Sequence, residues 1–164
     1  MIVRVLSLAG GLAGATGLSQ FPEFSQQYLQ RLGGAVDELS RVVADFDASA
    51  AAEGLTREAA LAEMAGTQFV ERRQTDMART IARYNRLTAD LAALRDATPF
   101  ERAAQPQRFT DPEIVTRTWD DFKPAVPVTI EGLGFAGIGF VVGWFVLSVV
   151  LGLLGRPFRR RRAA

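Results

Sequence analysis

The chain contains neither cysteine nor histidine. The first absence excludes disulfides, thiolate nucleophiles and thiolate metal ligands. The second removes the one side chain that titrates near neutral pH and the commonest metal ligand. Nucleotide loops, nucleophile elbows, zinc spacings and calcium loops are missing as well. An enzyme made from this chain would rely on Asp, Glu, Ser, Thr, Arg or Tyr alone. The expectation is therefore a non-enzymatic protein with no catalytic residues, no cofactor and no metal. Proline is absent from Glu23 to Thr98, and glycine occurs there only at 33, 34, 54 and 66. Few helix breakers over so long a stretch predict long helices.

Charge is scarce at both ends. The 19 basic and 18 acidic side chains nearly cancel over the 164 residues. Residues 1–19 carry only Arg4, and residues 127–155 carry only Glu131. Residues 20–126 hold 13 basic and 17 acidic groups, and the tail holds Arg156, Arg159, Arg160, Arg161 and Arg162. Apolar ends, a polar middle and a basic tail are not the pattern of an ordinary soluble domain.

Gly132 to Gly155 is 24 residues without a charge. As a helix it would run about 36 Å, enough for a hydrocarbon core of about 30 Å. Pro127 and Thr129 offer a start and Pro157 a stop. A transmembrane helix is expected over 127–155, followed by a basic tail over 156–164. The positive-inside rule makes that tail cytoplasmic. Arg159, Arg160, Arg161 and Arg162 are candidates for contact with anionic headgroups.

Val5 to Pro22 is 18 uncharged residues diluted by glycine. Residues 1–21 read as a first transmembrane helix, or as a cleaved signal with small residues at Ala13, Gly14 and Ala15. Gly10 and Gly14 are four apart, as are Gly139 and Gly143, and as are Gly11 with Ala15 and Gly132 with Ala136. Small residues at this spacing let helix backbones approach closely in lipid. The expectation is that the two spans pack on each other through Gly10, Gly14, Gly139 and Gly143. General glycine enrichment of membrane helices is the alternative.

Residues 22–97 read as a helical hairpin. One apolar stripe includes Phe24, Tyr28, Leu32, Leu39, Val43 and Phe46. A second includes Met77, Ile81, Tyr84, Leu87 and Leu91. Steps of three and four place each stripe on one helical face, with coiled-coil character. These stripes are the expected packing or partner surface. Gly54 can end the first helix, Thr56 can cap a short second one, and Gly66-Thr67 is another break. Helices are thus expected over 22–53, 56–65 and 67–97, the long ones pairing antiparallel. Residues 98–110 read as a linker. Asp111-Pro112-Glu113 signals a short amphipathic helix over 112–122, resting on a membrane surface or capping the hairpin. The acid pairs Asp37/Glu38, Asp45/Asp47 and Asp120/Asp121 read as solvated faces. Arg72, Arg73, Arg79, Arg83 and Arg86 read as a basic helix flank serving pairing or partner contact, and no nucleic acid is expected. Glu131, at the membrane edge, reads as a helix-start acid.

Gln20-Phe21-Pro22-Glu23-Phe24, the run Gln26 to Gly34, Met77 to Ile81, Pro124 to Pro127, Glu131-Gly132 and Gly143-Trp144 together resemble a known family. It is a proteobacterial family of small two-span inner-membrane proteins characterised only as a domain of unknown function. The resemblance covers nearly the whole chain. It implies a bacterial inner-membrane location and two spans around a periplasmic helical domain, and it brings no catalytic residues.

The sequence therefore predicts an all-α membrane protein: two transmembrane helices flanking a long antiparallel hairpin with a short amphipathic helix, the centre periplasmic and the tail cytoplasmic. The expected role is a scaffold or accessory subunit of an envelope assembly, with membrane lipids and a protein partner or a second copy as its contacts. The alternative is an oligomeric component that handles lipid or transports a solute.

Overall fold

A computed structural model describes residues 2–160 of the chain. All regular structure among them is helical: α1 (Ile2–Ser19), α2 (Phe21–Ala52), α3 (Arg57–Glu63), α4 (Gln68–Arg95), α5 (Pro99–Ala103), a single 3₁₀ turn (Pro106–Arg108), α6 (Pro112–Asp120) and α7 (Ile130–Arg160). The chain forms two compact units. Among the described residues, one gathers 2–26, 99–104 and 121–160, the other 27–98 and 105–120.

Local chemistry accounts for the helix ends. α2 stops in a Schellman motif. Gly54 takes a left-handed φ of 71°, the Leu55 amide donates to the Ala50 carbonyl at 2.9 Å, and the Gly54 amide donates to Ala51 at 3.0 Å. Thr56 then caps α3 by accepting from the Ala59 amide, and Thr67 caps α4 by accepting from Val70. Gly66, at φ 103°, supplies the bend between them. The expected 22–53, 56–65 and 67–97 thus lie within a few residues of the helices observed.

Two expectations need correction. The linker expected over 98–110 contains α5 and the 3₁₀ turn. Pro99 and Pro106 sit at the starts of these elements, where a missing N–H does no harm, so they initiate rather than break. Residues 122–129 are not helical, and α7 begins at Ile130 rather than at 127. Pro124 and Pro127 push the residues before them into extended backbone, and Thr129 accepts from the Gly132 amide to start the helix. Gly33 and Gly34 lie inside α2 with open space around them, so no close contact requires either glycine.

In the second unit the core lies between α2, α4 and α6. Tyr28, Leu32 and Val36 from early α2 meet Leu87, Leu91 and Leu94 from late α4, which makes the long helices antiparallel. Ile114 of α6 completes the cluster. Nearer the turn, Val43, Ala50 and Ile81 are buried, while α3 buries nothing. α6 is therefore a third wall of the hairpin core, the capping role weighed for it from sequence.

Candidate functional site

In the first unit α1 and α7 run antiparallel in backbone contact along their length. Glycine makes this possible. A Cβ on Gly14 would collide with the carbonyl of Gly139, one on Gly139 with the carbonyl of Gly14, and one on Gly143 with the carbonyl of Gly10. A Cβ on Gly10 would come within 2.8 Å of Leu147, and one on Gly11 within 2.8 Å of the Phe140 ring. The four glycines picked out by their spacing are thus the contact itself, and the i, i+4 rule explains why. Ser148 donates to Ser7 Oγ at 2.8 Å across the pair, and Ser7 is buried. Thr16 and Ser19 donate instead to carbonyls one turn back on their own helix.

The outward faces are apolar. Val5, Leu8 and Leu12 on α1, and Leu133, Val141, Phe145 and Leu153 on α7, are all exposed. Ile130–Leu154 is a 25-residue stretch long and apolar enough to cross a membrane. At one end of the pair an aromatic group gathers. The Phe100 ring stacks on Phe135 at 4.6 Å, Phe21 tilts against Phe135 at 5.3 Å, and Phe24 meets Phe122 edge-on at 5.9 Å. A Cβ on Gly134 would come within 2.8 Å of Phe100. Burial lowers the pKa of the Arg102 guanidinium, which donates to Gln26 Oε1 at 3.3 Å.

The second unit holds a buried polar clamp. Asp111 caps α6, accepting from the Ile114 amide at 3.2 Å. Its carboxylate also takes both forks of Arg83 at 3.0 Å and Arg86 at 3.2 Å. The carboxylate is only 2% exposed. Burial pushes the Asp111 carboxyl up, but the Arg83 and Arg86 guanidiniums and the Ile114 amide together outweigh it and hold it below the ordinary carboxylate range. Beside the clamp, Tyr28 stacks on Phe109 at 4.6 Å and donates to the Arg108 carbonyl at 3.2 Å. Burial, then the negative charges of Asp111 and Asp90, push the Tyr28 hydroxyl up to about 12. Arg108 in turn pairs with buried Asp90 at 2.9 Å. A groove of about 330 Å³ beside the clamp is lined by Arg31, Glu38, Arg83, Glu113 and Arg117 among others. Glu113 pairs with both Arg83 and Arg117 at 2.9 Å. The arrangement neutralises charge and fixes α6 on α4; it aligns no nucleophile with a base.

Asp111 carries a pH prediction. Its folded carboxyl titrates below its unfolded value, so the clamp contributes stability above about pH 4 and loses it as pH falls through the folded value. Asp111→Ala removes the cap and the charged hydrogen bonds together, an expected loss of about 2–4 kcal/mol at pH 7. Asp111→Asn keeps the capping oxygen and should lose less. Urea unfolding of the full chain in detergent micelles checks both, and the gap between parent and variants should narrow below pH 4. A gap of constant size would show that the carboxylate charge does not matter.

The expected packing stripes divide. Tyr28, Leu32, Val43, Ile81, Leu87 and Leu91 are buried, whereas Phe24, Leu39, Phe46, Met77 and Tyr84 are partly covered. The buried members pack within this chain. Among the acid pairs, Asp47 takes Arg57 at 2.7 Å and Glu38 takes Arg41. Of the basic flank, Arg83 and Arg86 belong to the clamp, and Arg79 and Arg73 pair with Asp76. Glu131 sits in the first turn of α7, partly buried. The expected headgroup contacts at Arg159, Arg160, Arg161 and Arg162 fall outside the residues whose side chains are described. Among the described residues no group of three or more acidic side chains is placed to hold a metal. The clamp was not foreseen, because Asp111 lies 25 and 28 residues from its arginines. The Ser7–Ser148 bond, spanning 141 residues, was equally out of reach.

Among the described residues, fold and packing define an all-helical protein built on a glycine-seamed helix pair, with one helix apolar enough to cross a membrane. The chain belongs to the family described as Protein of unknown function (DUF2937), whose model matches residues 2–160. Comparison with curated proteins and with solved structures gave no match.

Proposed function

We propose that this protein is a non-enzymatic, membrane-anchored scaffold or accessory subunit of a bacterial inner-membrane assembly. In this reading α1 and α7 both cross the bilayer, the second unit is periplasmic and the basic tail is cytoplasmic. One observation carries it. α1 and α7 are pressed backbone to backbone through glycine while their outward side chains, such as Leu12, Val141 and Phe145, stay apolar and exposed. Water would penalise so large an apolar surface, and lipid does not. The seam supplies close van der Waals contact, the main attraction available to helices inside lipid. Exposed ionisable side chains at the second unit's surface supply contacts for a protein partner.

The reading is tested by purification from native membranes in mild detergent through a C-terminal tag, with mass spectrometry of the eluate. A stoichiometric protein partner is expected. A lone oligomer carrying one lipid species would replace the scaffold reading with lipid handling. Because the chain lacks cysteine, location is checked separately with Ala52→Cys and Ala163→Cys in intact cells. An impermeant thiol reagent should reach position 52 from outside and leave position 163 untouched; the reverse pattern would invert the proposed topology.

A further inference from the structure

Between the aromatic group and α7 runs a short non-helical segment whose aliphatic side chains are exposed. Val126 and Val128 are 81% and 82% exposed, and Ile130, the first residue of α7, is 86% exposed. The segment is tied at several points. Ala125 donates its amide to Gln20 Oε1 at 2.9 Å, which fastens it to the residue after α1. Pro127 faces inward, where a Cβ on Gly132 would come within 2.9 Å of it, and Thr129 accepts from the Gly132 amide at 3.1 Å. Pro127 is thus partly covered, whereas Val126 and Val128 on either side of it are turned outward. Pro124 and Pro127 add stiffness and remove two backbone donors.

Three tethered, outward-facing aliphatic residues gain nothing from water. Hydrocarbon does not suit them either, because the non-helical backbone of Val126 and Val128 has polar groups that acyl chains cannot satisfy. The layer that suits both is the headgroup and glycerol zone, where apolar side chains dip inward and backbone groups still meet water. Lys123, exposed at the start of the segment, fits the phosphate level of that zone. The surface is also continuous with α7, where Leu133 is exposed one turn further on.

We infer that residues 123–130 form a non-helical collar seated in the lipid headgroup zone, with Val126, Val128 and Ile130 inserted toward the acyl chains. The inference rests on the proposed insertion of α7. The collar sets the depth of the helix pair: it stops α7 from sliding inward and holds Glu131 at headgroup level.

The test uses nitroxide labels on Val126→Cys, Val128→Cys and Ile130→Cys in the full chain, reconstituted in vesicles of phosphatidylethanolamine and phosphatidylglycerol. Val146→Cys serves as the deep reference and Ala52→Cys as the aqueous one. Collision with a water-soluble nickel chelate at 126, 128 and 130 should be several-fold below that at 52, while collision with oxygen rises toward that at 146. Free access of the chelate to the collar with 146 shielded would overturn the collar alone. Free access at 146 as well would overturn the insertion of α7 and the collar with it. Shielding of the collar from both reagents would mean that protein covers it, from a partner or a second copy, and would also overturn the assignment.

Discussion

Gly14→Ile separates α1 from α7, the largest effect expected of any single change in the first unit. The new Cβ lands on the carbonyl of Gly139, and the branched side chain brings three further carbons with it. A flexible neighbour could rotate away, but a backbone carbonyl cannot. Overpacking against movable side chains already costs about 1–3 kcal/mol, and here the axes themselves must part. Helix propensity works the other way, because isoleucine favours a helix more than glycine does, so a loss reports on packing alone. The reporter is a disulfide between Ser7→Cys and Ser148→Cys. Their hydroxyl oxygens are 2.8 Å apart, a separation that two thiols can close by small rotamer changes. No native cysteine competes. Oxidation should join the pair in the glycine parent and fail in the Gly14→Ile background. Gly17→Ile is the control, since a Cβ there meets nothing within 4 Å. Equal disulfide yield from all three proteins would refute the glycine seam.

Leu87→Ala is the corresponding change in the second unit. Leu87 is fully buried in the cluster with Tyr28, Leu32 and Ile114. Truncating a core leucine costs about 2–5 kcal/mol, the upper end applying where neighbours cannot collapse into the space. Here three helices meet and the clamp at Asp111 fixes α6, so little collapse is expected and the loss should lie near about 4 kcal/mol. A domain has only about 5–15 kcal/mol to lose. Leu39→Ala, on the same stripe but partly exposed, should lose about 1 kcal/mol. Urea unfolding of the full chain in detergent, followed by circular dichroism, measures both. Losses of equal size at the two positions would contradict a core concentrated between early α2, late α4 and α6.

The spacing of Gly10, Gly14, Gly139 and Gly143 was enough to nominate the seam, because small residues four apart always share a helical face. The long helices, the breaks at Gly54 and Gly66-Thr67, the cap at Thr56 and the start at Asp111 are local chemistry, and local chemistry is written in neighbouring residues. A long charge-free run likewise suffices to nominate 127–155 as a membrane-crossing helix, within which the apolar stretch Ile130–Leu154 lies.

Tertiary structure decided everything that depends on distance along the chain. A stripe of Tyr28, Leu32 and Leu39 does not say how much of each residue the fold covers; Leu32 is fully buried in the cluster that Ile114 of α6 joins, and Leu39 lies partly open at its margin. Asp111 announces a helix cap within four residues, but its two arginines come from a different helix, and no periodicity links them. Prolines 99 and 106 are ambiguous in sequence, since the same ring that ends one helix begins the next. Prolines 124 and 127 became informative only when the structure showed which side chains they turned outward. The long helices and their apolar faces are legible in the residues, because these follow from torsion preferences and the 3.6-residue period. Which faces meet, and which stay open to lipid, was decided by packing, because close approach is a property of two segments and not of either one.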